Sequence, residues 1–428
     1  MEALTVANEN RAKAGAVSWF KKLGPGLITG AADDDPSGIA TYSQIGAQFA
    51  YSLGWTVVLT TPLMVAVQEI SARLGRVTGS GLGAAMRGNL PPWLTAGIVF
   101  SLVVANIFNL GADIGAMAAA GKLLLGGPEQ VYAVLVAAFC AACEIYLAYR
   151  RYVLILKWLT LALFAYVALL FVVHVPWNEV LLGALLPRTG FTREALTALV
   201  AVLGTTISPY LFFWQASEEA EDEHGERDPR PLREHAAQAP AQFGRIRFDT
   251  VSGMIFSNFI ALAIIVGTAA TLHAGGKTDI ASAADAAAAL KPIAGGFASA
   301  VFALGIVGTG LLAVPVLAGS AAYAVGEALD WTVGLSHPAL EARLFYGFIA
   351  LATAIGTAIV FSPLDPMKAL FWSAVINGAI SAPMIAAMVV LGSRRKVMGT
   401  LTLPWLLQAL GWLTAALMGA ATVGMFAL

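Results

Sequence analysis

GPGLITGAADDDPSGIATYSQIGAQ, residues 24–48, sets three consecutive carboxylates, Asp33, Asp34 and Asp35, ahead of Pro36, Ser37 and Gly38 in a stretch otherwise apolar enough for lipid. A carboxylate at mid-bilayer depth costs roughly 2.5–3.5 kcal/mol even on the lenient insertion scale. A helix broken there by Pro and Gly also exposes backbone carbonyls that hydrocarbon cannot satisfy. Both penalties vanish together if the break faces a polar cavity that holds a cation. One other apolar stretch has the same character. ALTALVAVLGTTISPYLFFWQASEEAEDE, residues 195–223, carries Gly204, Thr205, Thr206, Ser208 and Pro209 in its middle. Pro209 removes a backbone donor and discourages helical dihedrals at Ser208.

Composition places both stretches in a membrane. Of 428 residues, 58% are hydrophobic and only 12% charged, with a mean hydropathy of +0.76, whereas soluble domains carry about 25% charge. The apolar runs recur as about eleven segments near the length that crosses a bilayer core. They fall at 24–50 (broken at 33–38), 51–73, 92–121, 128–149, 153–174, 192–222 (broken near 208), 248–273, 292–326, 342–362, 367–391 and 402–427. The breaks lie in segments one and six, corresponding positions of two five-segment halves. An odd number of spans per half inverts the second relative to the first, and matched interrupted segments point to a transport site at the repeat interface. The expected fold is therefore an all-α integral membrane protein of about eleven helices, with unwound helices one and six. Its parts are a polar lead-in at 1–23, a first repeat at 24–174, a second at 192–391 with a polar loop at 223–247, and an additional helix at 402–427.

Basic residues set the orientation. With the N-terminus in the cytoplasm, that side holds 19 of the 25 lysines and arginines, including Arg73, Arg76, Arg87, Arg343 and the cluster Arg394, Arg395 and Lys396. Lys122, Arg188, Arg193, Lys277, Lys291 and Lys368 fall outside. The asymmetry predicts a multi-pass protein of the plasma (inner) membrane with a cytoplasmic N-terminus and an external C-terminus. The first residues lack a signal-peptide cleavage pattern and read as a cytosolic lead-in. The 223–247 loop reads as a solvated linker, and its His224 and His235 need no ligand role. Cys140 and Cys143, without a second pair, read as helix packing. A net charge of −1 gives no reason to expect nucleic acid.

The chemistry expected at the two breaks is that of oxygen. Asp35 adjoins Pro36 and is the charged anchor. Carbonyls from Ala32 to Ser37 and from Thr205 to Ser208 supply neutral oxygens, Ser208 adds a hydroxyl, and Gly38 allows close backbone approach or an ion-bound water. Such donors favour hard cations, with magnesium retaining several waters and manganese or calcium also accommodated. Asp33 and Asp34 face other directions if the helix persists, to line a vestibule, pair with a polar group or cap the interrupted helix. Beyond the second break, Gln215 shares a helical face with Glu218 or Glu219 and is a candidate inner ligand. Asn377 is a weaker pathway candidate, because an amide there also bonds neighbouring helices. Glu69 and Glu144 read as structural. Met117 and Met254 read as core.

These residues carry a wider pattern. Residues 24–48 resemble the first helix of the natural resistance-associated macrophage protein (Nramp) family of divalent metal transporters, whose signature Asp-Pro-Gly-Asn falls here on Asp35, Pro36, Ser37 and Gly38. QEISARLGRVTGSGLG at 68–83 resembles the end of that family's second helix, and FALGIVGTGLLAVPVLAGSAAYAV at 302–325 its eighth. The resemblance implies an amino-acid-transporter-like (LeuT-type) 5+5 inverted repeat. It also has departures. The family's sixth-helix Met-Pro-His is here Ser208, Pro209 and Tyr210, and its first-helix asparagine ligand is Gly38. Loss of a sulfur and an amide fits a harder, partly hydrated ion and points to the Nramp-related magnesium transporter branch. The family's third-helix acids are replaced by Asn109 and Ala112, while Asp113 stands at a new place. Tyr210, a phenol ionising near about pH 10 in isolation, replaces the histidine.

The resulting expectation is a transporter rather than an enzyme, without cofactor or obligate protein partner, carrying Mg2+ or Mn2+ by alternating access as a uniporter. Asp113, Glu144 and Asp34 remain as possible substitutes for the lost proton route. The alternative is a proton-coupled Mn2+/Fe2+ symporter. An amino-acid or sodium symporter is disfavoured because Asp35 opposes contact with an anionic substrate.

Overall fold

The structure, a computed structural model, describes residues 25–146, 159–190, 192–224 and 230–427. The polar lead-in at 1–23 and the start of the expected fifth segment lie outside these residues. Two short helices form the first segment, α1 (Pro25–Asp33) and α2 (Pro36–Phe49). Then come α3 (Gly54–Thr78), the short α4 (Leu82–Asn89), α5 (Pro92–Leu125) and α6 (Glu129–Tyr146). A 3-10 turn at Leu159–Leu163 leads into α7 (Phe164–Leu169), followed by α8 (Trp177–Leu185). The sixth segment is again two helices, α9 (Arg193–Thr206) and α10 (Pro209–His224). After it run α11 (Ala239–Thr268), α12 (Ala283–Ala288), α13 (Lys291–Ala294) and α14 (Ala298–Leu329). The chain ends with α15 (Arg343–Ile359), α16 (Pro366–Ser393), α17 (Arg395–Met398) and α18 (Trp405–Ala427).

Eight helices among the described residues are long and apolar enough to cross a membrane. The three expected spans missing from that set have physical reasons. The first is split into α1 and α2, the fifth is described only from Leu159, and α15 has 17 residues. Large apolar side chains such as Phe100, Leu135, Phe139, Leu181 and Val423 face outward, as helices bathed in acyl chains require.

Packing reflects the repeat. α2 lies against α11 as α10 lies against α3, a pairing that maps onto itself when the two halves are exchanged; α1 also lies against α11, and α5 packs extensively on α14. Without a hydrophobic drive between helices in lipid, such seams depend on close van der Waals approach through small residues. A Cβ added to Gly30 of α1 would stand 2.5 Å from the Gly253 carbonyl carbon of α11, and one on Gly75 of α3 would stand 2.1 Å from the Ala216 oxygen of α10. Both half-helices are thereby held backbone to backbone.

Two expectations change around residues 223–247. α11 starts at Ala239 rather than near 248, and the region before it is not a bare solvated linker. Leu232 is buried, and Leu232 and Arg233 donate backbone N–H groups to the Arg76 and Val77 carbonyls at 3.3 and 3.2 Å. These bonds satisfy carbonyls that the end of α3 would otherwise leave open. Arg245 on the extended turn pairs with Glu219, and Arg73 stacks 4.2 Å from the Phe243 ring centroid. α14, at 32 residues, is about 48 Å long and exceeds a hydrocarbon core of about 30 Å, so its ends reach solvent.

The α3–α10 seam gives a stability prediction. Gly75→Ala forces a Cβ into backbone and is expected to lower the thermal midpoint in detergent by the equivalent of about 1–3 kcal/mol, the usual cost of overpacking. Gly97→Ala, where a Cβ meets nothing within 4 Å, is expected to hold or raise it. Equal midpoints for the two variants would contradict the close seam.

Candidate metal-ion site

The break in the first segment is set by local chemistry. Asp35 precedes Pro36, which disfavours helical dihedrals at that residue, and it adopts an extended conformation (φ −71°, ψ 171°). From there its side chain caps α2: Oδ1 accepts from the Gly38 N–H at 2.7 Å and from the Ser37 hydroxyl at 2.6 Å. The capping role therefore falls on Asp35 itself rather than on Asp33 or Asp34. The second break, like the first, spans two residues. α9 ends at Thr206, Ile207 leaves the helix (φ −121°, ψ 59°), and Pro209 opens α10.

The two breaks meet. Asp35 Oδ2 accepts from Asn109 Nδ2 of α5 at 3.2 Å and from the Tyr210 hydroxyl of α10 at 3.3 Å. The Tyr210 hydroxyl also reaches the Ala32 carbonyl at 3.1 Å, so its single hydrogen is shared between two acceptors. Thr205 Oγ1 is buried without a hydrogen-bond partner and lies 3.2 Å from where a Cβ on Gly38 would stand. Gly38 thus keeps space between the first break and a free hydroxyl oxygen on the second. Ser208 donates to the Gly204 and Thr205 carbonyls at 2.9 and 3.0 Å, which fixes its hydroxyl and leaves oxygen lone pairs. All of these residues are buried.

Other candidates sit farther off or are already engaged. Asp33 and Asp34 turn to α11, where the single hydroxyl of Ser257 lies 2.5 Å from Asp33 Oδ2 and 3.0 Å from Asp34 Oδ1. Gln215 is about two turns beyond Ser208 and donates to Thr250 at 3.1 Å, with its Oε1 unpartnered. Glu219 is committed to Arg245, whereas Glu218 is only partly buried. Asn377 on α16 is buried with neither amide atom partnered, beside Ser381, whose hydroxyl reaches the Ile207 carbonyl at 3.2 Å. Asp113 is buried on α5, one turn beyond Asn109.

Sequence reading missed the serines that position these groups. Ser373 of α16 donates to Asn109 Oδ1 at 2.6 Å and so aims its amide at Asp35, while Ser37 and Ser257 hold the acids. A serine in an apolar helix commonly bonds its own preceding turn, so its type alone carries little signal. The sulfur inventory around the breaks agrees with the oxygen reading. Met117 packs on Gly310, and Met64 Sδ accepts from Asn258 at 3.3 Å. Among the described residues, the hydrogen bonds that gather the two breaks involve only nitrogen and oxygen.

Known proteins share this architecture and sequence pattern. The divalent metal cation transporter MntH of Mycobacterium tuberculosis (strain H37Rv) is 28% identical over 405 residues, 94% of this chain and 89% of its own. MntH of Acidiphilium cryptum is 27% identical over 399 residues, covering 91% and 86% of the two chains. Among solved structures, a manganese transporter of Eremococcus coleocola superposes with a TM-score of 0.74 at 17% identity, covering 94% of this chain and 85% of that one. The closed form of Mhp1, a nucleobase-cation symporter, gives 0.58 at 14% identity over 95% and 90% of the chains. These two likenesses establish the inverted-repeat transporter fold. The model of the natural resistance-associated macrophage protein-like family matches residues 26–428, and the chain belongs to that family.

Proposed function

We propose that this chain, a divalent metal cation transporter of the Nramp/MntH type and not an enzyme, carries Mg2+ and Mn2+ as a uniporter by alternating access. In this reading it belongs with the magnesium-transporting branch of the family, with its N-terminus in the cytoplasm. The observation that carries the proposal is the oxygen-only junction of the two broken helices: the Asp35 carboxylate, the Ala32 carbonyl, and the hydroxyls of Thr205 and Ser208 around Gly38. Hard cations take such donors, and Mg2+ in particular dehydrates reluctantly and keeps several waters. A single carboxylate with neutral oxygens suits an ion that retains part of its shell. Thioether sulfur, which selects softer metals, is replaced by Ser208.

Loss of the proton route supports uniport. Asn109 stands where the resemblance implies an acid, and its amide is fixed between Ser373 and Asp35. Tyr210 stands where a histidine is implied and donates to Asp35 and Ala32. An inside-negative potential supplies the drive, roughly 4.6 kcal/mol per 100 mV for a divalent cation.

The test is uptake into proteoliposomes carrying an internal pH dye. Mg2+ and Mn2+ are expected to enter without acidifying the lumen, and Cd2+ poorly. Proton entry accompanying Mn2+ with no Mg2+ uptake would favour the symporter instead. Asp35→Ala is expected to abolish uptake of both ions, and full Mg2+ transport in that variant would remove Asp35 from the site. Ser208→Met adds a sulfur at the second break and is expected to shift the Cd2+ to Mg2+ uptake ratio upward by on the order of tenfold. An unchanged ratio would place Ser208 outside the ion's coordination.

A further inference from the structure

One acid of the interior has no role in the hydrogen-bonded junction. Asp113 is fully buried on α5, and neither of its carboxylate oxygens has a hydrogen-bond partner among the described residues. A buried carboxylate without donors is stable as an anion only while a cation compensates it.

Its placement connects it to the junction. Asn106, Asn109 and Asp113 are all buried, and at 100° per residue they form one stripe along α5, Asp113 lying 40° from Asn109 and 20° from Asn106. Asn109 in the middle of that stripe holds Asp35. Asp113 therefore stands on the same side of α5, about 6 Å farther along its axis toward Leu125. It lies within Coulombic reach of both Asp35 and Tyr210. The opposite side of α5 packs on α15, where a Cβ at Gly111 would stand 2.6 Å from the Gly356 carbonyl oxygen. On the stripe itself, Asn106 donates to the Leu317 carbonyl of α14 at 3.0 Å. One turn beyond Asp113, Met117 closes against Gly310 of α14, where a Cβ would meet its sulfur at 2.6 Å. The carboxylate is bracketed by the Asp35 junction on one side and an apolar contact on the other.

We propose that Asp113 is a second station for the transported divalent cation, one helical turn from Asp35, which it engages through the ion's retained waters. In the orientation given above this is the external side, so the ion meets Asp113 before it reaches Asp35. Two divalent ions at this spacing repel one another, and the stations are occupied in turn. The inference rests on the reading of the chain as a divalent-cation carrier, and it explains why an acid persists here although its oxygens have no protein donor.

Initial rates of Mg2+ uptake into proteoliposomes test it, with Mn2+ binding to the purified protein measured in parallel by calorimetry. Asp113→Asn preserves the shape of a protonated aspartate but removes the charge. It is expected to raise KM for external Mg2+ on the order of tenfold, with a smaller fall in kcat, and to retain Mn2+ binding that Asp35→Ala loses. Asp113→Glu, which restores the charge, is expected to bring KM back toward wild type. Asp113→Ser serves as the charge-free variant should the asparagine form not fold. An unchanged KM in the charge-free variant would mean that Asp113 holds a proton permanently and is no ion station. Loss of Mn2+ binding equal to that of Asp35→Ala would instead merge the two stations into one site. Failure of the carrier reading itself shows separately, as Mg2+ uptake that is absent in the wild type or indifferent to Asp35→Ala.

Discussion

The carboxylate of Asp35 gathers the centre of this molecule. Four donors converge on it: the Ser37 hydroxyl and Gly38 N–H from α2, the Asn109 amide from α5 and the Tyr210 hydroxyl from α10. Hydrogen bonds to a charged acceptor are stronger than neutral ones, on the order of 1.5–3 kcal/mol each in net effect. They make a buried charge tolerable where hydrocarbon would not. They also tie three helices from both repeats to one residue, so the polar centre and the helix packing are stabilised by the same bonds.

That convergence explains why the breaks occur where they do. A continuous helix through residue 35 would hide its carbonyls and leave the side chain without the Gly38 N–H. The bend before Pro36 frees the Ala32 carbonyl, which Tyr210 then meets from the other half. Ser208 and Pro209 do the same for the second half, and Thr205 is left with an uncommitted oxygen. Close glycine seams, at Gly30 against Gly253 and Gly75 against Ala216, hold the half-helices α1 and α10 firmly against their neighbours. The proposed cation site is thus the place where two interrupted helices satisfy each other incompletely.

Much of this was legible in the residues. Pro36 and Pro209 mark both breaks because proline constrains the residue before it, and an acid beside one of them has few uses in a membrane other than binding a cation. Asn109 and Tyr210 were found by their positions in a familiar pattern, and both reach Asp35. Less was legible wherever tertiary contact decides. Gln215 lies on the half-helix that follows Ser208 yet bonds Thr250, since a position two turns along says nothing about which neighbour it meets. Glu219 pairs with Arg245 because α11 begins nine residues earlier than hydropathy suggested; the polar residues of that turn conceal its helix from a hydrophobicity window. Residues 230–235 read as solvent-loving, and only their backbone bonds to the end of α3 reveal that they dock. The serines that orient Asn109 and the acid pair were silent for the same reason, since their partners are hundreds of residues away or on another helix.

X-ray absorption at the manganese edge of the Mn2+-loaded protein tests the central claim most directly, because it reports the atoms around the ion independently of transport. The account predicts a first shell of oxygen alone, part of it exchangeable water, that is lost in Asp35→Ala. A sulfur contribution in the wild-type shell, or an intact shell without Asp35, would contradict it.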